Sequence, residues 1–203
     1  MMLVATPPPS PSAGFVYIVG AGPGPLDLMT LRALDRLRSA EVVVHDRLIS
    51  SEVLDCIPEG AERVYVGKAL GNHAVPQSGI HELLVRHARQ GKRVVRLKGG
   101  DPYVFGRGGE EVQALQAAGV AFEVVPGVTA ASGCSAAAGI PLTHRDLASS
   151  CIFLPGHLAD DSANTDSVSL ARPGQTRVFY MGVQRLALIA EQLISHGLPP
   201  STP

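Results

Sequence analysis

The chain has no tryptophan, 4% aromatic residues and three cysteines among its 203 residues. Nucleic-acid bases would find few rings to stack on. Seventeen Lys plus Arg against eighteen Asp plus Glu leave a formal charge of -1, so no basic field exists to hold a phosphate backbone. Cys56, Cys134 and Cys151 are odd in number and lack CxxC spacing, which excludes a disulfide framework and a thiolate zinc site. No apolar run approaches the roughly 20 residues of a spanning helix. The start of the chain has no positive residue and too short an apolar run for a signal peptide. These absences describe a soluble protein of the reducing cytoplasm, with neither membrane nor nucleic acid among its partners. What is present suits folding: 45% of residues are hydrophobic and 17% charged.

Residues 1–14 end in Pro, Ser, Ala and Gly with nothing to bury, and read as a disordered Pro-rich tail. A regular rhythm follows. Phe15-Val16-Tyr17-Ile18-Val19 reads as a strand buried on both faces, and Leu28, Leu31, Leu34 and Leu37 recur as on one helix face. Val42-Val43-Val44 and Val64-Tyr65-Val66 are further strands. Ile80, Leu83, Leu84 and His87 mark a helix stopped by Gly91, and Val94-Val95-Arg96-Leu97 the strand after it. Val112, Leu115 and Gln116 mark another helix, stopped by Gly119, before Phe122-Glu123-Val124-Val125. This alternation implies parallel crossover units and an α/β sheet covered on both faces. Residues 129–139 are small and suit close backbone packing, and 140–146 form a connector. A second unit follows, with strands at Ile152-Phe153-Leu154 and Arg177-Val178-Phe179-Tyr180, a polar loop at 159–175 and a helix over 186–193. Two strands are few for a complete domain.

Two glycine-rich segments follow strands, where open α/β sheets place ligands. Gly20-Ala21-Gly22-Pro23-Gly24-Pro25 suggests a dinucleotide turn with Asp46 on a ribose. Pro25 stands in place of the third glycine, however, and Pro23 and Pro25 remove two N–H donors that a pyrophosphate would need. The segment reads as a ligand-facing loop without support for NAD. In Lys98-Gly99-Gly100-Asp101-Pro102-Tyr103-Val104-Phe105-Gly106-Arg107-Gly108-Gly109-Glu110-Glu111, a strand runs into bare backbone and an acid. A second glycine cluster then opens a helix whose acidic first turn complements its N-terminus. His81 and His87 fall on different helix faces, and no metal-ligand spacing is seen among the histidines.

These blocks resemble the uroporphyrinogen-III C-methyltransferases of the tetrapyrrole methylase family. So do Val44-His45-Asp46-Arg47-Leu48, Val66-Gly67-Lys68, Val125-Pro126-Gly127-Val128-Thr129-Ala130-Ala131, residues 139–145, Gly156-His157 and Tyr180-Met181-Gly182. The match runs in order from about residue 15 to the end. The resemblance implies two α/β/α domains with the active site in the cleft between them, here an N-terminal domain over 15–141 and a partial C-terminal domain over 142–203. It implies two methyl transfers from S-adenosylmethionine to carbons of uroporphyrinogen III, giving precorrin-2 through precorrin-1 for sirohaem or cobalamin. It also implies a cytoplasmic homodimer and no metal. The family's proton acceptor falls on Asp46 and its proton donor on Lys68. Its S-adenosylmethionine contacts fall on Pro23, Gly99, Gly100, Asp101, Val104, Thr129, Ala130 and Met181. From the residues alone, Asp46 reads equally as the cap of the following turn and Lys68 as a solvated lysine. The substrate is a polycarboxylate, for which Arg47, Arg107, His144 and Arg145 are candidate clamps, with structural salt bridges as the competing reading.

The sequence departs from the family at Pro25, where an acid is usual, at Ala137, where an aromatic is common, and at Pro155. It ends where relatives begin another strand, so the second domain reads as C-terminally truncated. The expectation is a form impaired in S-adenosylmethionine binding, or a fragment of a longer product. The rival readings are a methylase of a later corrinoid intermediate, a dinucleotide oxidoreductase disfavoured by Pro23 and Pro25, and an inactive relative kept as a binding module.

Overall fold

The computed structural model describes residues 14–67, 75–156 and 171–202. The Pro-rich tail up to residue 13, Lys68, His157 and most of the polar loop expected at 159–175 lie outside the described residues. The chain divides into two compact units between Gly133 and Cys134.

The first unit is built on five strands: β1 (Phe15–Gly20), β2 (Val42–His45), β3 (Glu62–Tyr65), β4 (Arg93–Lys98) and β5 (Ala121–Val125). They pair in the order β3-β2-β4-β1-β5, and every pairing is parallel. Its helices are α1 (Leu31–Arg38), α2 (Ser51–Leu54), α3 (Gln77–Arg89) and α4 (Gly108–Ala117); α5 (Ala130–Ala138) runs across the division.

Side chains alternate across a strand, so β1, β2 and β4 each supply two layers. Val19, Val43, Val95 and Leu97 pack with Ala33 and Leu37 of α1 and Val53 of α2. Val16, Ile18, Val42, Val44 and Val94 face the other way, onto Ile80 and Leu84 of α3 and Val112 and Leu115 of α4. On β4 the period of two sends Arg96 and Lys98 to the same face as Val94. Both cations enter the layer of α3 and α4, and both are buried.

The leucine row does not form one continuous helical face. Leu26–Leu28 is a 3-10 turn, and Thr30 starts α1 afresh by accepting the Ala33 N–H on its hydroxyl at 3.2 Å. Leu37 is wholly buried while Leu31 is 87% exposed. The small-residue run, for which composition suggested only close packing, is a helix. A Cβ on its Gly133 would lie 2.6 Å from the Pro23 ring, so the glycine makes room for the loop after β1.

In the second unit, β6 (Ser150–Pro155) and β7 (Gln175–Tyr180) form a parallel pair, with helix α6 (Leu186–Ser195) following. Both strands run longer than their apolar cores suggest. Ile189 of α6 is buried and reaches within 3.2 Å of where a Gly182 Cβ would stand.

Leu37→Ala should lower unfolding free energy by about 2–5 kcal/mol. Leu31→Ala should change it by less than about 0.5 kcal/mol. Urea denaturation followed by circular dichroism measures both, and equal losses would contradict the burial described.

Candidate functional site

Parallel crossovers bring every strand of the first unit out at one rim. There the loops after β1, β4 and β5 meet as bare main chain. A Cβ on Gly20 would stand 2.6 Å from both the Gly100 carbonyl oxygen and the Gly127 nitrogen, and one on Gly127 would collide with Gly20 and Gly100. Gly100 has φ of +65° and exchanges hydrogen bonds with Gly22, N–H to carbonyl, at 2.7 and 3.2 Å. Only glycine meets both demands.

This contact fixes Asp101. Its Oδ2 accepts the Gly127 N–H at 3.1 Å and its Oδ1 the Tyr103 N–H at 2.8 Å. The carboxylate therefore ties the end of β4 to the loop after β5. Val104 N–H returns to the Asp101 carbonyl at 3.3 Å, which closes the turn. Burial, then the Asp101 charge, push the Tyr103 phenol above its ordinary range.

Asp46 follows β2 on the same rim. Its Oδ1 accepts the Leu48 N–H at 3.0 Å, so it does cap the turn. Its Oδ2 meets Arg96 Nη2 at 3.4 Å, so it also has a charged partner. Leu48, 71% exposed, stands over bare backbone, its Cβ 3.0 Å from where a Gly99 Cβ would be. The structure thus gathers Pro23, Asp46, Gly99, Gly100, Asp101, Val104, Thr129 and Ala130 along one sheet edge, where a Gly100 Cβ would lie 3.6 Å from the Ala130 nitrogen.

Below the rim lies a group of charges that residue types alone did not reveal. Glu111, on the first turn of α4, has no solvent exposure. Its Oε1 accepts from Arg96 Nε at 2.9 Å, Lys98 Nζ at 3.1 Å and Gln77 Nε2 at 3.4 Å. Glu110 and Glu111 both stand in the first turn of α4, as expected, but Glu111 also neutralises strand cations, and only Glu110 stays at the surface. Burial, then the neighbouring guanidinium of Arg96, push the Lys98 ammonium below the ordinary lysine range, against the pull of Glu111. The available signal was a pair of cations two residues apart in the otherwise apolar interior of β4.

The candidate clamps differ in kind. Arg47 is exposed on the rim after β2. Arg107, in left-handed backbone with φ of +58°, grips Glu110 with Nε and Nη2 at 2.9 and 2.7 Å. Its fork already holds a carboxylate, as the salt-bridge reading has it. In the second unit, His144 closes a turn by accepting the Asp146 N–H at 3.2 Å, and Arg145 is exposed within that turn. Met181 follows β7, 69% exposed, with φ of +59°. Lys68 lies outside the described residues. Among the described residues no group of three or more His, Cys, Asp or Glu is arranged to hold a metal ion, and no helix is long and apolar enough to cross a membrane.

The family model for Tetrapyrrole (Corrin/Porphyrin) Methylases matches residues 16–203. A siroheme synthase of Nitrosospira multiformis is 56% identical over 193 residues, which cover 95% of this chain and 41% of that protein. The chain thus spans about two fifths of the length of the curated relatives it matches. The uroporphyrin-III C-methyl transferase of Thermus thermophilus, solved with S-adenyl homocysteine, is 48% identical and superposes with a TM-score of 0.75 over 92% of this chain and 74% of its own. A cobalt precorrin-4 methyltransferase is 29% identical, with a TM-score of 0.76 over 93% of this chain and 77% of its own.

Gly127→Ala should destabilise the chain by about 1–3 kcal/mol, because its methyl must displace the Gly100 carbonyl. Gly109→Ala, in open space on α4, should stabilise by up to about 1 kcal/mol. Thermal and urea melts compare the two, and a harmless Gly127→Ala would refute the main-chain contact.

Proposed function

The chain belongs to the tetrapyrrole (corrin/porphyrin) methylase family, and on that premise we propose that it methylates uroporphyrinogen III at two carbons, giving precorrin-2 through precorrin-1. The observation that carries this reading is the rim of bare glycine backbone with an anchored acid, in a chain 48% identical to a uroporphyrin-III methyltransferase crystallised with S-adenyl homocysteine. The alternative, a later corrinoid intermediate as substrate, has the support of the cobalt precorrin-4 enzyme at 29% identity.

The residues fit a sulfonium nucleoside. Gly99 and Gly100 put no side chain over the rim, Pro23, Thr129 and Ala130 lie on the neighbouring loops, and Asp101 is held by two N–H groups. In this reading those residues hold the donor together with Val104; Met181 is proposed as a further contact on resemblance alone. S-adenosylmethionine, when bound, supplies an electrophilic methyl whose leaving group is a neutral thioether. What remains for the protein is orientation and removal of a proton from the methylated pyrrole. Asp46 is the proposed acceptor: its carboxylate is oriented at two points, by the Leu48 N–H and by Arg96, and is partly open to solvent. Lys68 is the proposed donor, on resemblance alone.

Exposed Leu48, Tyr103 and Phe105 offer apolar surface on the loops after β2 and β4, suited to the faces of a macrocycle. Arg47 is the clamp best free to meet its carboxylates, whereas Arg107 must first release Glu110. His144 and Arg145 are proposed on the same chemical ground. The proposal includes a homodimer in the cytoplasm, which rests on the resemblance.

Incubated with uroporphyrinogen III and S-adenosylmethionine, the chain should yield a product two methyls heavier by mass spectrometry. Methylation of a later corrinoid in its place would favour the alternative. Asp46→Ala should lower kcat about 10²–10⁴-fold, with S-adenosylhomocysteine affinity by titration calorimetry kept within about threefold. Unchanged kcat would remove Asp46 from the reaction.

A further inference from the structure

Glu111 is an expensive residue to bury. Its Oε1 receives three donors, while Oε2, also buried, has no hydrogen-bond partner among the described residues. A buried ion cluster is weak evidence for stability, since apolar residues of similar volume often serve as well. The layer around it, Val44, Val94, Val112 and Leu115, could accept such residues.

What the cluster does achieve is to immobilise one guanidinium. Arg96 donates from Nε to Glu111 at 2.9 Å and from Nη1 to the carbonyls of Val44 at 3.3 Å and Leu97 at 3.0 Å. Its Nη2 is thereby aimed at Asp46 Oδ2, 3.4 Å away. The guanidinium is planar, so fixing Nε and Nη1 fixes Nη2 as well. Strand register supports the same line: Arg96 lies opposite Val44, and Asp46 comes two residues further along the chain. Lys98 shares the carboxylate from the same strand face and supplies a second cation.

We propose that Glu111 is a positioning residue for methyl transfer, which holds Arg96 in the one orientation that presents Nη2 to Asp46 and so sets the plane of the Asp46 carboxylate at the rim. This rests on the reading of Asp46 as proton acceptor. Glu111 touches no reacting atom. Its effect must therefore pass through Arg96 and disappear when Asp46 can no longer take a proton.

A double-mutant cycle on the full chain tests this, using single-turnover methylation of uroporphyrinogen III. Glu111→Gln keeps an acceptor oxygen but removes the charge that anchors Arg96. It should lower the rate about tenfold, with KM for both substrates within twofold. In an Asp46→Asn background, the same substitution should change the residual rate by less than twofold. An equal loss in both backgrounds, or no loss in the first, would overturn the proposal. If Asp46→Asn alone leaves the rate intact, the proton-acceptor reading fails, which is a separate result. Should Glu111→Gln not fold, Arg96→Lys gives the same cycle, because an ammonium lacks the fork that joins Glu111 to Asp46. Failure of both variants to fold would make the cluster purely architectural and end the proposal. Circular dichroism and S-adenosylhomocysteine affinity establish folding in each case.

Discussion

Main chain touches main chain where the loops after β1, β4 and β5 meet, because Gly20 and Gly127 have no Cβ to hold the Gly100 carbonyl away. A side chain at Gly20 or Gly127 would push these loops apart and release Asp101 from the Gly127 N–H. The contact therefore sets more than local packing. It decides that the three loops close on one another at the rim, and that one carboxylate stands there in a fixed orientation. Specific recognition of a small polar molecule needs such fixed groups, because freedom lost on binding subtracts from affinity.

Charge is distributed in two tiers. Arg107 with Glu110 is an exposed pair, screened by water, that adds little to stability. Arg96, Lys98 and Glu111 are buried in the layer between sheet and helices, where removing one partner would cost about 3–5 kcal/mol. The near-zero net charge of the chain conceals this separation. It is the placement of cations, at the rim or beneath it, that bears on the polyanionic substrate proposed above.

The strands could be read from the chain because β1, β2 and β4 are short β-branched runs buried on both faces, and α3 because its apolar residues recur three and four apart. Asp101 and its glycines could be read because strand, turn and acid are contiguous. Glu111 could not: its partners lie 13 and 15 residues away, and only the turn of α4 onto β4 joins them. Beside Glu110 it looked like half of an acidic helix start. Leu31 misled in the opposite sense, since spacing from Leu34 and Leu37 says nothing of where Thr30 restarts the helix. Helix α2, four residues long, is too short to show any period, although Val53 is firmly buried.

The strict alternation along β4 also makes its length a protected quantity. Deleting one residue before Arg96 would rotate both cations into the apolar layer of Leu37 and Val53, away from Glu111, and would turn Leu97 toward that acid. The loop over 102–107 is held by contacts of its own: Gly106 and Gly108 pack on the Pro102 carbonyl, and Phe105 and Arg107 take left-handed backbone. A length change in the strand would therefore exchange its two faces, whereas one in the loop would disturb the contacts of 102–108 and leave the sheet in phase.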